Sequence, residues 1–159
     1  MNIRLAEPRD IGRIGELLHQ VHDVHSAGRP DIFRKGNRKY SDEELERILK
    51  DPGTPVFVAE DERGCVQGYA FCICEEHRGE AALMDRKTFY IDDLCVDERC
   101  RGQHVGRTLY EHVCATAAKA GCAAVTLNVW CLNEGALHFY EKCGMKPLKI
   151  VMEQRLDGE

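Results

Sequence analysis

The segment from Asp92 to Val113, DDLCVDERCRGQHVGRTLYEHV, constrains the fold of this chain more than any other. Its first part is apolar enough for a buried strand, and from Gly106 onward the residues read as an amphipathic helix. Between them lies a glycine-bearing turn set among Arg99, Arg101 and Arg107. A strand that enters a helix through such a turn leaves several backbone N–H groups without partners. The aligned peptide dipoles add about half a positive charge at the same point. Gly102 and Gly106 let backbone come close to a ligand, so the junction suits an anion, and phosphate above all. His104 stands where a further glycine would be expected, and its side chain is tolerable there if its backbone stays right-handed.

The elements around this junction define the fold class. MNIRL reads as a short strand, and Ile11, Ile14, Leu18 and Val21 then recur at helical spacing. Ser41 and Glu44 form a capping box that opens a second helix. Three strands follow, PVFVAED, CVQGYAFCICEE and TFYIDDLCV. After the junction helix come a strand AAVTLNVW, a helix EGALHFYEKC capped by Asn133, and a closing strand MKPLKIVMEQRL. A meander followed by crossovers predicts an α/β fold with a mixed, mostly antiparallel central sheet flanked by helices on both faces. The length, 159 residues, favours one domain spanning 1–159.

Composition narrows the function classes. A net charge of -5 argues against an extended nucleic-acid footprint and suits a cationic or neutral partner. No signal-like apolar region opens the chain and no run approaches a membrane span, so a cytoplasmic protein without a membrane partner is expected. The nine cysteines are odd in number and lack a CxxC pair, which favours small apolar thiols in a reducing compartment. His19, His22 and His25 step by three rather than four, so they spread around a helix flank instead of forming a metal pair, and no metal is expected. His22 and His25 are candidates for lining a small-molecule pocket, and Trp130 is either core or part of the same side.

RGQHVG, followed by the helix and then by LNVWCLNEGALHFYEKCGM, resembles the GCN5-related N-acetyltransferase (GNAT) superfamily. The superfamily's pyrophosphate loop, Arg/Gln-x-x-Gly-x-Gly/Ala, is matched by Arg101, Gly102, Gln103, His104, Val105 and Gly106, with His104 in place of glycine. Some relatives carry a larger polar residue there. The second motif is matched by Asn133, Ala136, Phe139, Tyr140 and Gly144. The resemblance implies an acetyl-CoA-dependent N-acetyltransferase in which a primary amine, of a small molecule, attacks the thioester directly in a ternary complex. A protein or peptide acetyltransferase and a non-catalytic acyl-CoA sensor are the alternatives, and a homodimer is possible.

The resemblance also implies site residues. The loop residues Arg101 to Gly106, with Arg107, would hold the diphosphate of the acetyl-CoA donor. Leu94, Cys95 and Val96 would bond the pantetheine arm through main chain, and Asn133 would contact the same arm or act as a simple cap. Tyr140 corresponds to the acid that protonates the departing thiolate. His104 is either a phosphate contact when protonated or a solvent-facing imidazole. For the base, strand alternation puts Tyr90, Asp92 and Leu94 on one face and Ile91, Asp93 and Cys95 on the other. Asp92 then faces the acceptor, and Asp93 ties down a neighbouring loop or helix.

Overall fold

Val56, Phe57, Val58 and Ala59 are all buried, as a strand covered on both faces requires. They belong to a five-stranded sheet in the computed structural model, which describes residues 1–157 as two compact units, Met1–Asn128 and a second beginning at Val129. In the first unit the strands β1 (Asn2–Leu5), β2 (Val56–Glu60), β3 (Val66–His77), β4 (Arg86–Val96) and β5 (Ala124–Leu127) lie in that spatial order. All neighbours are antiparallel except β4 and β5, which are parallel across the junction helix. The sheet is therefore mixed and mostly antiparallel.

Helices cover it on both sides. From α1 (Ile11–Gly28) and α2 (Asp42–Lys50), Ile14, Leu17, Leu18 and Leu45 pack with Val56, Val58, Tyr69, Phe71 and Cys95. On the opposite face, Val105, Leu109, Val113 and Ala117 of α3 (Val105–Lys119) pack with Phe57, Ala70, Cys72, Phe89 and Ile91. Ser41 accepts from the Glu44 amide while the Glu44 carboxylate accepts from the Ser41 amide, so α2 starts where the capping box predicts.

Strict alternation along β4 is broken. The β3–β4 register runs Gly68↔Val96, Tyr69↔Cys95, Ala70↔Leu94 and Phe71↔Asp93, then shifts to Cys72↔Ile91. Asp92 is the extra residue of a bulge. Odd-numbered Phe89 and Ile91 therefore join the α3 side, whereas odd-numbered Cys95 joins the α1–α2 side with Tyr69 and Phe71. Leu94 and Val96 pack against the α3 cluster instead. The expected grouping of Tyr90, Asp92 and Leu94 is thus corrected: the bulge turns the strand over between Ile91 and Asp93.

The second unit contains α4 (Glu134–Lys142). Its expected closing strand is absent among the described residues, where 145–155 form no regular element. The nine cysteines are all free; Cys72 and Cys95 are buried, while Cys65 and Cys131 are exposed, so the expectation of buried thiols holds only for some. No helix among the described residues is long and apolar enough to cross a membrane.

Candidate active site

The pairing of β4 with β5 ends at Ile91↔Leu127, but β4 continues to Val96 against β3. From Asp92 to Val96 its other edge has no strand partner among the described residues. A central strand with one open edge offers main-chain N–H and C=O groups to a ligand. Leu94, Cys95 and Val96 lie on that stretch, their side chains partly or wholly buried and their backbone on the open edge.

The strand leads directly into the loop read from the sequence as a candidate anion site. Asp97, nearly inaccessible, accepts from the Arg99 amide and pairs with Arg13 of α1, which anchors the turn from both ends. The Arg99 amide is the main reason that the Asp97 carboxyl lies below the ordinary aspartate range. Gly102 has φ of 76° and open space where a Cβ would be. Arg101, Gln103, His104 and Arg107 are exposed. The first backbone bond of α3 runs from the Thr108 N–H to the His104 carbonyl at 2.9 Å. The amides of Val105, Gly106 and Arg107 precede it and have no acceptor within the helix. Arg107 also donates to Glu111 one turn on, at 3.1 Å.

His104 departs from expectation. Its backbone is left-handed, at φ 63° and ψ 5°, and among the described residues it is the one non-glycine with positive φ. Residue 104 needs the geometry that a glycine adopts freely, and histidine supplies it against its own preference. Strain of this kind at a loop of candidate function is itself a pointer to the site.

The bulge gathers two carboxylates on the α1–α2 side. Asp92 accepts from the Tyr40 phenol at 2.5 Å and from the Lys39 ammonium at 2.9 Å, and the Asp92 carbonyl accepts from the same ammonium at 3.1 Å. Asp93 accepts from the Tyr69 phenol at 3.1 Å. Asp92 thus joins β4 to the segment before α2, and Asp93 is held by the neighbouring strand β3. Burial pushes the Asp93 carboxyl up to about 6, against the opposing charge of Lys39 and the Tyr69 bond. Burial and the Asp92 bond hold the Tyr40 phenol far above its ordinary range, so it remains a donor. Tyr90, next to the pair, accepts from Asn128 at 3.2 Å.

Lys39 and Tyr40 were not legible as partners of Asp92, because they lie in an irregular segment without periodicity. The available signal was their position immediately before the Ser41 capping box, which fixes them at a helix entrance. His22 meets the Phe33 ring edge-on at 5.9 Å and His25 meets it at a tilt at 5.1 Å, and His22 bonds the Arg34 carbonyl at 2.6 Å. They join α1 to the segment that follows it, at Phe33 and Arg34. A shallow cleft of about 260 Å³ borders Tyr40, Glu44, Arg47 and Ile48. A larger one of about 350 Å³ is lined by Arg4, Arg9 and Arg13, whose guanidiniums are committed to Asp10, Glu60, Glu7, Glu16 and Asp97.

In the second unit, Asn133 caps α4 by accepting from the Ala136 amide at 3.1 Å, and Tyr140 is buried, with its ring 5.1 Å from that of Phe139. Trp130 is exposed. No group of three or more His, Cys, Asp or Glu converges among the described residues as a metal ion would require.

The profile of the family described as acetyltransferase (GNAT) family matches residues 18–145. A glucosamine 6-phosphate N-acetyltransferase of Arabidopsis thaliana is 30% identical over 62% of this chain and 72% of its own length. A thialysine N-epsilon-acetyltransferase of Bos taurus is 26% identical over 88% of this chain and 75% of its own. Among solved structures, a mutant of the BH1408 protein from Bacillus halodurans superposes with a TM-score of 0.95 at 32% identity, covering 98% of this chain and 99% of that one.

Proposed function

The chain belongs to the acetyltransferase (GNAT) family, and from that premise we propose that it moves an acetyl group from acetyl-CoA to a primary amine of a small molecule, by direct attack while both are bound. One observation carries the reading: the same stretch of β4 has an open main-chain edge, two carboxylates at a bulge, and an anion loop at its end. The thioester supplies an already activated acetyl group. The chain's own residues have to hold the donor, orient the amine and move a proton.

For the diphosphate, the first-turn amides of Val105, Gly106 and Arg107 and the open approach at Gly102 supply what an anion needs. Arg101, Arg107, Gln103 and His104 are exposed around it and available as side-chain contacts. The open edge of Leu94, Cys95 and Val96 fits the amide-bearing arm through main chain. Asn133 spends one lone pair of its side-chain oxygen on the Ala136 amide, and its NH2 donors are offered to the arm. Tyr140 is proposed as the acid that returns a proton to the leaving thiolate.

An alkyl amine arrives as an ammonium and must lose a proton before it attacks. Asp93 suits this task better than Asp92. Its carboxyl is raised to about 6, so it is ionised near neutrality yet has an increased affinity for a proton. Asp92, with Lys39 and Tyr40 on one oxygen, suits holding the amine in place. The names of the curated relatives, an amino-sugar phosphate and a thialysine acetyltransferase, support a small-molecule acceptor.

Thiol release measured with acetyl-CoA across a panel of diamines, amino acids, amino sugars and peptides tests the reading. Turnover restricted to small amines is expected. Turnover only with peptides would move the acceptor class, and tight coenzyme A binding without release would make the protein a sensor.

A further inference from the structure

We propose that Lys39 is a resident occupant of the acceptor-amine subsite, which an incoming primary alkylammonium must displace, so that Lys39 sets selectivity among amines. The proposal rests on the acetyltransferase reading and deepens it by assigning the acceptor's head group.

The Lys39 side chain is itself a primary alkylammonium, and its surroundings are what such a group needs. The nitrogen has three N–H donors. Two acceptors, Asp92 Oδ2 at 2.9 Å and the Asp92 carbonyl at 3.1 Å, face it, and the Tyr40 ring centroid lies 5.4 Å away as a cation–π surface. Its charge also reaches the Asp93 carboxyl and the Tyr90 phenol, both of which respond to it. The Asp92 carbonyl belongs to the bulged residue, at the start of the β4 edge that β5 leaves open. An ammonium at that point lies on the stretch of strand assigned to the reacting groups.

Two features make this lysine displaceable rather than structural. Its side chain is 42% exposed, whereas that of Asp92 is 15% exposed, so the cation is much the more open to solvent of the two. It also extends from an irregular segment on a flexible stem, not from a helix or strand. When Lys39 leaves, Asp92 keeps its bond from the Tyr40 phenol, so the carboxylate remains aimed for a new ammonium. An acceptor bearing a free alkylammonium inherits the vacated contacts. An acceptor bearing a phosphate instead finds the displaced Lys39 as its counter-ion.

Binding of 1,4-diaminobutane, measured by calorimetry on the full chain, gives a readout that needs no turnover. Lys39→Met is expected to bind it about 10-fold more tightly than the wild type, and to lower KM for diamines similarly. Lys35→Met removes the same charge from an exposed site in the same segment and is expected to change affinity less than about 2-fold. Lys39→Arg, which keeps a cation, is expected to bind no more tightly than the wild type. Lys39→Gln, checked by its thermal melt, repeats the test if the methionine variant folds poorly. Unchanged or weaker diamine binding in the folded Lys39 variants overturns the proposal, as does an equal gain in Lys35→Met. Absence of thiol release with any amine, with the affinity pattern intact, would instead remove the acetyltransferase reading and leave the ammonium site standing.

Discussion

Asp93 and His104 both hold forms that their side chains or backbones resist in isolation. The Asp93 carboxyl rises from an ordinary 3.8 to about 6, chiefly through burial. Between those values the unfolded chain has released a proton that the folded chain still holds. Stability from this group is therefore complete below about pH 3.8, falls as pH rises to about 6, and is constant above. Asp93→Asn, which still accepts from Tyr69, is expected to melt above the wild type at pH 7.5 and together with it at pH 3.5 or below. If Asp93 also accepts the acceptor's proton, wild-type kcat/KM rises with pH through about 6, and the variant loses at least about 10²-fold with a flat profile. A variant that melts lower at pH 7.5 would mean that the charged carboxylate is stabilised rather than penalised. At His104 the left-handed backbone costs about 1–2 kcal/mol, and glycine returns part of that as unfolded-chain freedom. His104→Gly is expected to raise stability by up to about 1 kcal/mol, or about 2–4 °C in Tm. A fall in Tm would show that the imidazole makes a contact worth more than the strain it brings.

At the level of elements, the junction depends on how closely α3 approaches the sheet. A Cβ on Gly68 would lie 2.7 Å from the Cys95 carbonyl oxygen and 3.2 and 3.4 Å from Leu109 and Val105 of α3. The carbonyl is backbone on a central strand and cannot swing aside. Gly68→Ala is therefore expected to cost about 1–3 kcal/mol in a denaturant titration and to weaken coenzyme A binding by calorimetry, because relief requires α3 and its first-turn amides to move. A neutral effect on both would mean that helix and strand are less tightly seated than this. Sequence periodicity was enough to place α1, the Ser41 cap and the strand–loop–helix junction, because each rests on local spacing or local hydrogen bonds. It could not find the bulge at Asp92, which exists only in the register against β3, and so it put Leu94 on the wrong face. The left-handed His104 was hidden for a related reason: the residue type argued for one conformation and the turn imposed another. Lys39 and Tyr40 had no pattern at all, since they meet Asp92 of a strand 53 and 52 positions away.

For the whole molecule, the stretch that was expected to close the sheet raises the question of what accompanies it in solution. Leu148, Ile150, Val151 and Met152 are 74%, 75%, 87% and 86% exposed, and no strand pairs with them among the described residues. Apolar side chains in this density on a segment without strand pairing combine a hydrophobic driving force with main-chain groups open to pairing. A second copy of the chain is a partner always present at matching concentration, and pairing about a two-fold axis covers the same segment on both copies. Sedimentation velocity is accordingly expected to give a homodimer, and the double substitution Ile150→Asp with Met152→Asp to give a monomer with an unchanged circular-dichroism spectrum. Hydrogen exchange across 145–157 should slow as protein concentration rises, while the β3 and β4 amides stay protected throughout. A wild type that sediments as a monomer at every concentration, with rapid exchange in this segment, would mean that the apolar run is simply tolerated in water.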